Sequence, residues 1–192
     1  MMARIQKEDK LNLAPKKFNM WIFIFTSFML FAAFTSGFIV YTGGRTHAIN
    51  LILPKSLLYS TIVIVLSSIT LFVASRAAKH LEYQKQKLFL WITLALGVLF
   101  LFLQLYACSV LIKMGVYFIN PNAAQSFIYI FVFIHLVHII AALLLLANTI
   151  KGAYSNLPQV KNLYNMEMTS IFWHFLDIVW IYLYVFLLLN QY

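Results

Sequence analysis

Five long apolar stretches separated by short polar gaps set the pattern of this chain. They cover about 18–41, 56–78, 88–112, 124–150 and 169–189. At about 1.5 Å of rise per residue, each helix so formed crosses a hydrocarbon layer of about 30 Å. Strands are not expected: a membrane strand needs only about ten residues and alternates polar with apolar positions. The prediction is an all-α, polytopic membrane protein, a bundle of five transmembrane helices. Residues 1–17 form a polar N-terminal tail and 18–192 one membrane domain. The tail lacks the form of a secretory signal, since the apolar run behind it is too long and no small-residue cleavage pattern follows. Gly43-Gly44, Pro54 and Asn120-Pro121-Asn122 punctuate the gaps.

Within the spans, small and weakly polar residues recur at helical spacing, the usual way membrane helices approach closely. In span one the stripe is Thr26, Ala33 and Gly37. In span two it is Ser60, Ser67, Thr70, Ala74 and Ala78, and in span three Thr93, Gly97, Gln104 and Cys108. Ser67, Thr70, Gly97 and Gln104 are the packing candidates. These stripes point to close helix packing before any ligand-lined path.

Two spans carry residues that are costly in lipid. Span four has His135 and His138, three apart and on one face, continued by Ala142 and Thr149. One helix offers too few ligands for a metal or haem, so hydrogen bonds to other helices or to a lipid headgroup are expected. Span five has Glu167, Ser170, His174 and Asp177 within about a quarter turn of one another, bordered by Trp173, Trp180 and Tyr184. The strip is expected to face inward. It fits a satisfied structural network, a lipid contact or a subunit contact. A proton path is disfavoured, because no carboxylate follows Asp177 within the span.

Composition agrees with the pattern. The 192 residues are 63% hydrophobic and 10% charged, against about 25% charged in a soluble domain. The net charge of +9 is distributed by side. Eleven Lys and Arg fall in the tail and the second and fourth gaps; Arg45, Lys55 and Lys113 fall opposite. The N-terminus is therefore expected in the cytoplasm and the C-terminus outside. This distribution explains the basic residues without nucleic acid as a partner. Cys108 is the only cysteine, which excludes an intrachain disulfide and a thiolate cage for zinc or iron–sulfur.

The run Phe172-Trp173-His174-Phe175-Leu176-Asp177-Ile178-Val179-Trp180-Ile181-Tyr182-Leu183-Tyr184, with Glu167 seven positions before His174, resembles the last helix of subunit III of the haem-copper terminal oxidases, the cytochrome c oxidase subunit 3 family. His135-Leu136-Val137-His138 is similar to the family's paired histidines on the preceding helix. The segment from Leu96-Gly97 to Gln104 and the run Leu66-Ser67-Ser68-Ile69-Thr70 with Ala74 match further family positions. Order and spacing cover nearly the whole chain. The span count resembles the short five-helix bacterial form, which lacks the first two helices of the larger seven-helix form.

The resemblance implies a non-catalytic subunit of an aerobic cytochrome c oxidase. It would bind no haem, copper or other metal and supply no catalytic residue. It would pack beside subunit I, which holds the haem-copper centre, reduces oxygen to water and pumps protons. Subunit II and further respiratory-chain subunits would be neighbours, with structural phospholipid retained. The family role is to sustain turnover and support proton uptake from a place in the bacterial inner membrane. His135, His138, Glu167, Ser170, Trp173, His174, Asp177 and Trp180 become structural or lipid-contact candidates. Two acids of the family pattern are missing: Phe28 follows Ser27 where a carboxylate is expected, and Leu105-Tyr106-Ala107-Cys108 follows Gln104. No proton-handling role carries over for those acids. Alternatives left open are the equivalent subunit of a quinol oxidase or nitric oxide reductase, and a small standalone transporter.

Overall fold

A computed structural model describes residues 13–43, 49, 53–119, 123–155 and 158–191. Gly44, the Asn120-Pro121-Asn122 turn and residues 1–12 of the tail lie outside the described residues. Five helices follow in order: α1 Leu13–Thr42, α2 Lys55–Lys79, α3 Tyr83–Lys113, α4 Ala123–Tyr154 and α5 Gln159–Leu189. Each is long and apolar enough to cross a membrane. α1 begins five residues before the predicted span, and Pro15 is tolerated in its first turn, where backbone N–H groups lack intrahelical acceptors. That extra turn brings Lys16 and Lys17 onto a helix.

The connection between α2 and α3 is very short, which makes the two helices antiparallel neighbours. Leu81 takes a left-handed conformation there (φ 63°), a place that favours glycine. Glu82 N–H donates to Ala77 O at 3.0 Å across this corner. The α2, α3, α4 and α5 helices close a four-membered ring, α2 on α3, α3 on α4, α4 on α5 and α5 on α2. α1 lies outside the ring, against α4 and α5.

Polar pairs cross nearly every helix seam. Thr70 and Thr93 hydroxyls meet at 2.8 Å, and Gln104 Nε2 donates to Ser60 Oγ at 3.0 Å, joining α2 to α3. Trp173 Nε1 donates to Ser67 Oγ at 3.0 Å and Trp180 Nε1 to Thr61 Oγ1 at 3.1 Å, joining α5 to α2. Thr149 and Thr169 meet at 2.7 Å between α4 and α5. The predicted stripes of α2 and α3 therefore do face their neighbours. Gly97 permits the tightest approach: a Cβ there would lie 2.7 Å from Cη2 of Trp173 and 2.8 Å from Cδ2 of Leu143.

The stripe predicted for span one is corrected. Thr26, Ala33 and Gly37 are exposed, and α1 instead buries Ser27, Phe31, Thr35 and Phe38. Aromatic side chains explain the reversal. Phe38 packs edge-on against Phe127 and Phe186, at 5.7 Å and 5.2 Å between ring centroids, so α1 docks by ring contacts rather than by close backbone approach.

Gln86 and Asn162 form a reciprocal amide pair between α3 and α5, with both amides buried and N–O distances of 3.2 and 3.3 Å. Gln86→Leu strands the Asn162 amide and should destabilise the chain by about 1–3 kcal/mol. Adding Asn162→Leu should restore much of that loss. Denaturant titration of the purified single and double variants measures the coupling; additive losses would show that the pair does not act as a unit.

Candidate functional site on the last helix

α5 packs against α1, α2 and α4 and reaches α3 through the Gln86–Asn162 pair, and this central place decides what each side of it can do. Its deep side carries Phe172, Trp173, Leu176 and Trp180, all at most 1% exposed. Its outer side carries Ile178, Ile181 and Val185, which are exposed. Glu167, Ser170, His174 and Asp177 run along the border between these sides. The expected inward strip is thus corrected in part. Asp177 is buried, Ser170 and His174 are half-buried, and Glu167 is exposed. A helical wheel fixes the angles between these residues but leaves the rotation of the whole helix to its neighbours.

α2 supplies the partner of His174. The Ser68 hydroxyl and His174 Nδ1 are 2.6 Å apart. Asp177 Oδ2 lies 3.8 Å from the same nitrogen, too far for a hydrogen bond but close enough to pair with an imidazolium. Both oxygens of Asp177 are buried with no hydrogen-bond donor within the described chain. Such a carboxyl group costs several kcal/mol to keep in an apolar setting, in whichever protonation state it rests. His174 Nε2 likewise makes no hydrogen bond to a described residue, and a third of the side chain is exposed. The cluster therefore has unused hydrogen-bonding capacity at the border of an exposed apolar face.

Lys17 of α1 reaches Glu167 at 2.5 Å, clamping the starts of the first and last helices together. Both side chains are more than two-fifths exposed, so solvent screening leaves the pair worth less than about 1 kcal/mol. Nearer the other end, the Tyr182 hydroxyl donates to Thr35 Oγ1 at 3.0 Å, again between α5 and α1.

The two histidines of α4 differ. His138 meets both kinds of partner: Nδ1 lies 2.8 Å from Ile134 O, and Nε2 lies 3.3 Å from Ser27 Oγ on α1. His135 is fully buried, and neither ring nitrogen has a hydrogen-bond partner among the described residues. The expected hydrogen bond to another helix is therefore not made by His135 within the described chain. Its ring is enclosed by Trp180 at 5.0 Å, Phe100 at 5.9 Å and Phe31 at 6.2 Å, so aromatic contact replaces polar contact. Among the described residues, no group of three or more His, Cys, Asp or Glu is placed to hold a metal ion.

Several partners escaped the reading of the sequence. Ser68 stands next to the packing residue Ser67 but about 100° round the helix, which turns it toward His174. Hydropathy alone places Lys17 in the tail. Pro15, a helix-starting signal, was the available hint that the helix begins earlier.

The order of helices, the paired histidines of α4 and the Trp-His-x-x-Asp border of α5 run through almost the full chain. The family model for cytochrome c oxidase subunit III matches residues 11–191. The chain belongs to the cytochrome c oxidase subunit III family. Members of this family are non-catalytic accessory subunits of haem-copper oxidase complexes. The chain is 30% identical to cytochrome bo(3) ubiquinol oxidase subunit 3 of Buchnera aphidicola subsp. Acyrthosiphon pisum, over 95% of this chain and 90% of the relative. It is 29% identical to cytochrome c oxidase subunit 3 of Bacillus sp. PS3, over 95% and 89%. It is 26% identical to the ubiquinol oxidase subunit 3 of Buchnera aphidicola subsp. Baizongia pistaciae, over 98% of both chains. With its five helices the chain has the short bacterial architecture of the subunit III family, as a multi-pass protein of the bacterial inner membrane.

Proposed function

We propose that this subunit III chain serves an aerobic cytochrome c oxidase, docked beside the large haem-copper subunit I with subunit II close by. Haem and copper belong to those partners, which reduce oxygen to water and pump protons. This chain sustains their turnover by holding the assembly and its phospholipid together. The N-terminus lies in the cytoplasm and the C-terminus outside, as the charge bias favours. The family match across residues 11–191 carries the reading. The α5 border supports a docking role, because His174 is a third exposed and its Nε2 makes no hydrogen bond to a described residue, with Asp177 buried behind it. Glu167, Ser170, Trp173, Trp180, His135 and His138 hold that border in position rather than perform chemistry.

A second reading keeps the subunit and changes the electron donor to quinol. The two Buchnera relatives favour it, since both are subunits of ubiquinol oxidases.

Purification of the intact membrane complex through a tag on this chain tests both readings. A large haem-copper chain should co-purify, and the complex should consume oxygen with reduced cytochrome c as donor. Oxygen uptake with quinol alone would select the second reading. Absence of any haem-copper chain would overturn both. Protease digestion of sealed inverted vesicles should remove the N-terminal tail and leave the C-terminus intact; the reverse result would overturn the orientation.

A further inference from the structure

Along α5, the exposed residues Ile178, Ile181 and Val185 continue the line of His174 with the spacing of a coiled-coil seam. α2 runs beside it with the same spacing: Thr61, Val65, Ser68 and Phe72, of which Val65 and Phe72 are exposed. The bonds of Trp180 to Thr61 and of His174 to Ser68 hold the two seams edge to edge. Small and large side chains alternate along the α2 seam, and such small positions let a further helix approach.

Acyl chains could cover the apolar part of this face, but they would leave His174 unsatisfied. Its Nε2 makes no hydrogen bond to a described residue, and a third of the side chain is exposed. Toward the Lys17–Glu167 end, the charged residues nearest this point are Arg76 on α2 and Glu167 on α5. They stand about 12 Å from Ser68 and about 10 Å from His174 along their helices. His174 therefore lies inside the hydrocarbon layer, beyond hydrogen-bonding reach of headgroups, and that layer holds no water to take their place. A partner for Nε2 has to be carried to this depth on protein.

The other ring nitrogen sets the sense of the missing bond. When the Ser68 hydroxyl donates to Nδ1, the proton of the neutral imidazole sits on Nε2. When the ring is charged and pairs with Asp177, Nε2 carries a proton as well. In both forms the outward nitrogen is a donor, and what it lacks is an acceptor.

We infer that this face seats one transmembrane helix of a partner subunit, and that this helix places a hydrogen-bond acceptor side chain against His174 Nε2. The inference rests on the docking reading above and names the chemistry by which the partner is recognised. The Ile178–Val185 seam and the exposed Val65 and Phe72 supply packing, while His174 fixes the depth at which the partner helix sits.

Photocrosslinking in native membranes, on the full chain within its complex, tests the site. A Cys108→Ser background carries one new thiol, from Ile178→Cys on the border or from Leu105→Cys on the exposed face of α3, the opposite wall of the ring. Each thiol is labelled with benzophenone maleimide and irradiated. The Ile178 position should give protein adducts several times more often than Leu105. Its adducts should map to a single transmembrane helix bearing an acceptor residue within about two turns. Among untagged-thiol variants, His174→Gln keeps an N–H near the place of Nε2 and should retain the co-purified partner. His174→Phe should lower the partner yield about fivefold, the scale of one hydrogen bond between membrane helices. Ser68→Ala, which breaks only the internal bond, should lower it less. The crosslinking arm leaves His174 intact, so it decides the matter where His174→Phe does not fold. Adducts at Ile178 no more frequent than at Leu105, or a folded His174→Phe variant no worse than Ser68→Ala, would overturn the inference. A haem-copper chain that co-purifies while Ile178 labels lipid alone removes the helix site and leaves the oxidase reading; an Ile178 adduct with a chain outside any haem-copper oxidase does the reverse.

Discussion

Gly97→Ala should destabilise the bundle by about 2 kcal/mol, and Gly97→Leu should prevent it from closing. The cause is local and geometric. A methyl group at Gly97 would meet Trp173 at 2.7 Å and Leu143 at 2.8 Å. Leu143 can yield, because the atom in contact is the end of a flexible side chain. Trp173 cannot, because it is fully buried and its indole N–H is held by Ser67. The strain therefore passes into the α3–α5 separation, where the Gln86–Asn162 pair also spans the bundle. Thermal unfolding of the purified chain in detergent measures the loss. Trp173→Phe in the Gly97→Ala background should recover part of it, because the smaller ring vacates the space. A double variant no better than the sum of its singles would show that Trp173 is not the obstacle.

The second large effect has opposite signs in two measurements. Asp177→Leu should stabilise the isolated chain by about 1–3 kcal/mol, because it removes a buried carboxyl group that no described donor satisfies. The same change should sharply lower the yield of complex with a haem-copper partner through His174, which is a third exposed and loses the carboxylate that backs it. Asp177→Asn should fall between the two, keeping shape and one acceptor oxygen. Unfolding of the isolated chain and subunit stoichiometry of the purified complex separate the two effects. An isolated Asp177→Leu chain that is less stable than the parent would mean the carboxylate is satisfied internally. A fully assembled, long-lived complex would mean that no partner reads it.

The sequence was most informative where packing is polar. Ser67, Thr70, Gly97 and Gln104 have few reasons to stand in a membrane helix except to meet another helix, and each one does. α1 was opaque for the converse reason. Phe31 and Phe38 are buried in it while Phe25 and Phe28 are exposed, and lipid welcomes phenylalanine as readily as a helix groove does. Hydropathy cannot divide such a helix into faces. The α5 border was legible as a set of residues and not as a direction. The rotation of α5 is fixed by Trp173 and Trp180 bonding to Ser67 and Thr61, which are partners more than a hundred residues away. The environment of His135 was illegible for a similar reason. Its aromatic neighbours come from α1, α3 and α5, and no local spacing on α4 announces them.

The position of α1 bears on how the chain is made. Its packing partners are α4 and α5, which leave the ribosome after α2 and α3. The contact between Lys17 and Glu167 spans 150 residues and cannot form until α5 has been made. During synthesis the first helix must wait in the bilayer with its aromatic docking face, Phe31 and Phe38, turned toward lipid. α2 and α3 can pair at once through their short corner, so the hairpin precedes the closure of the ring.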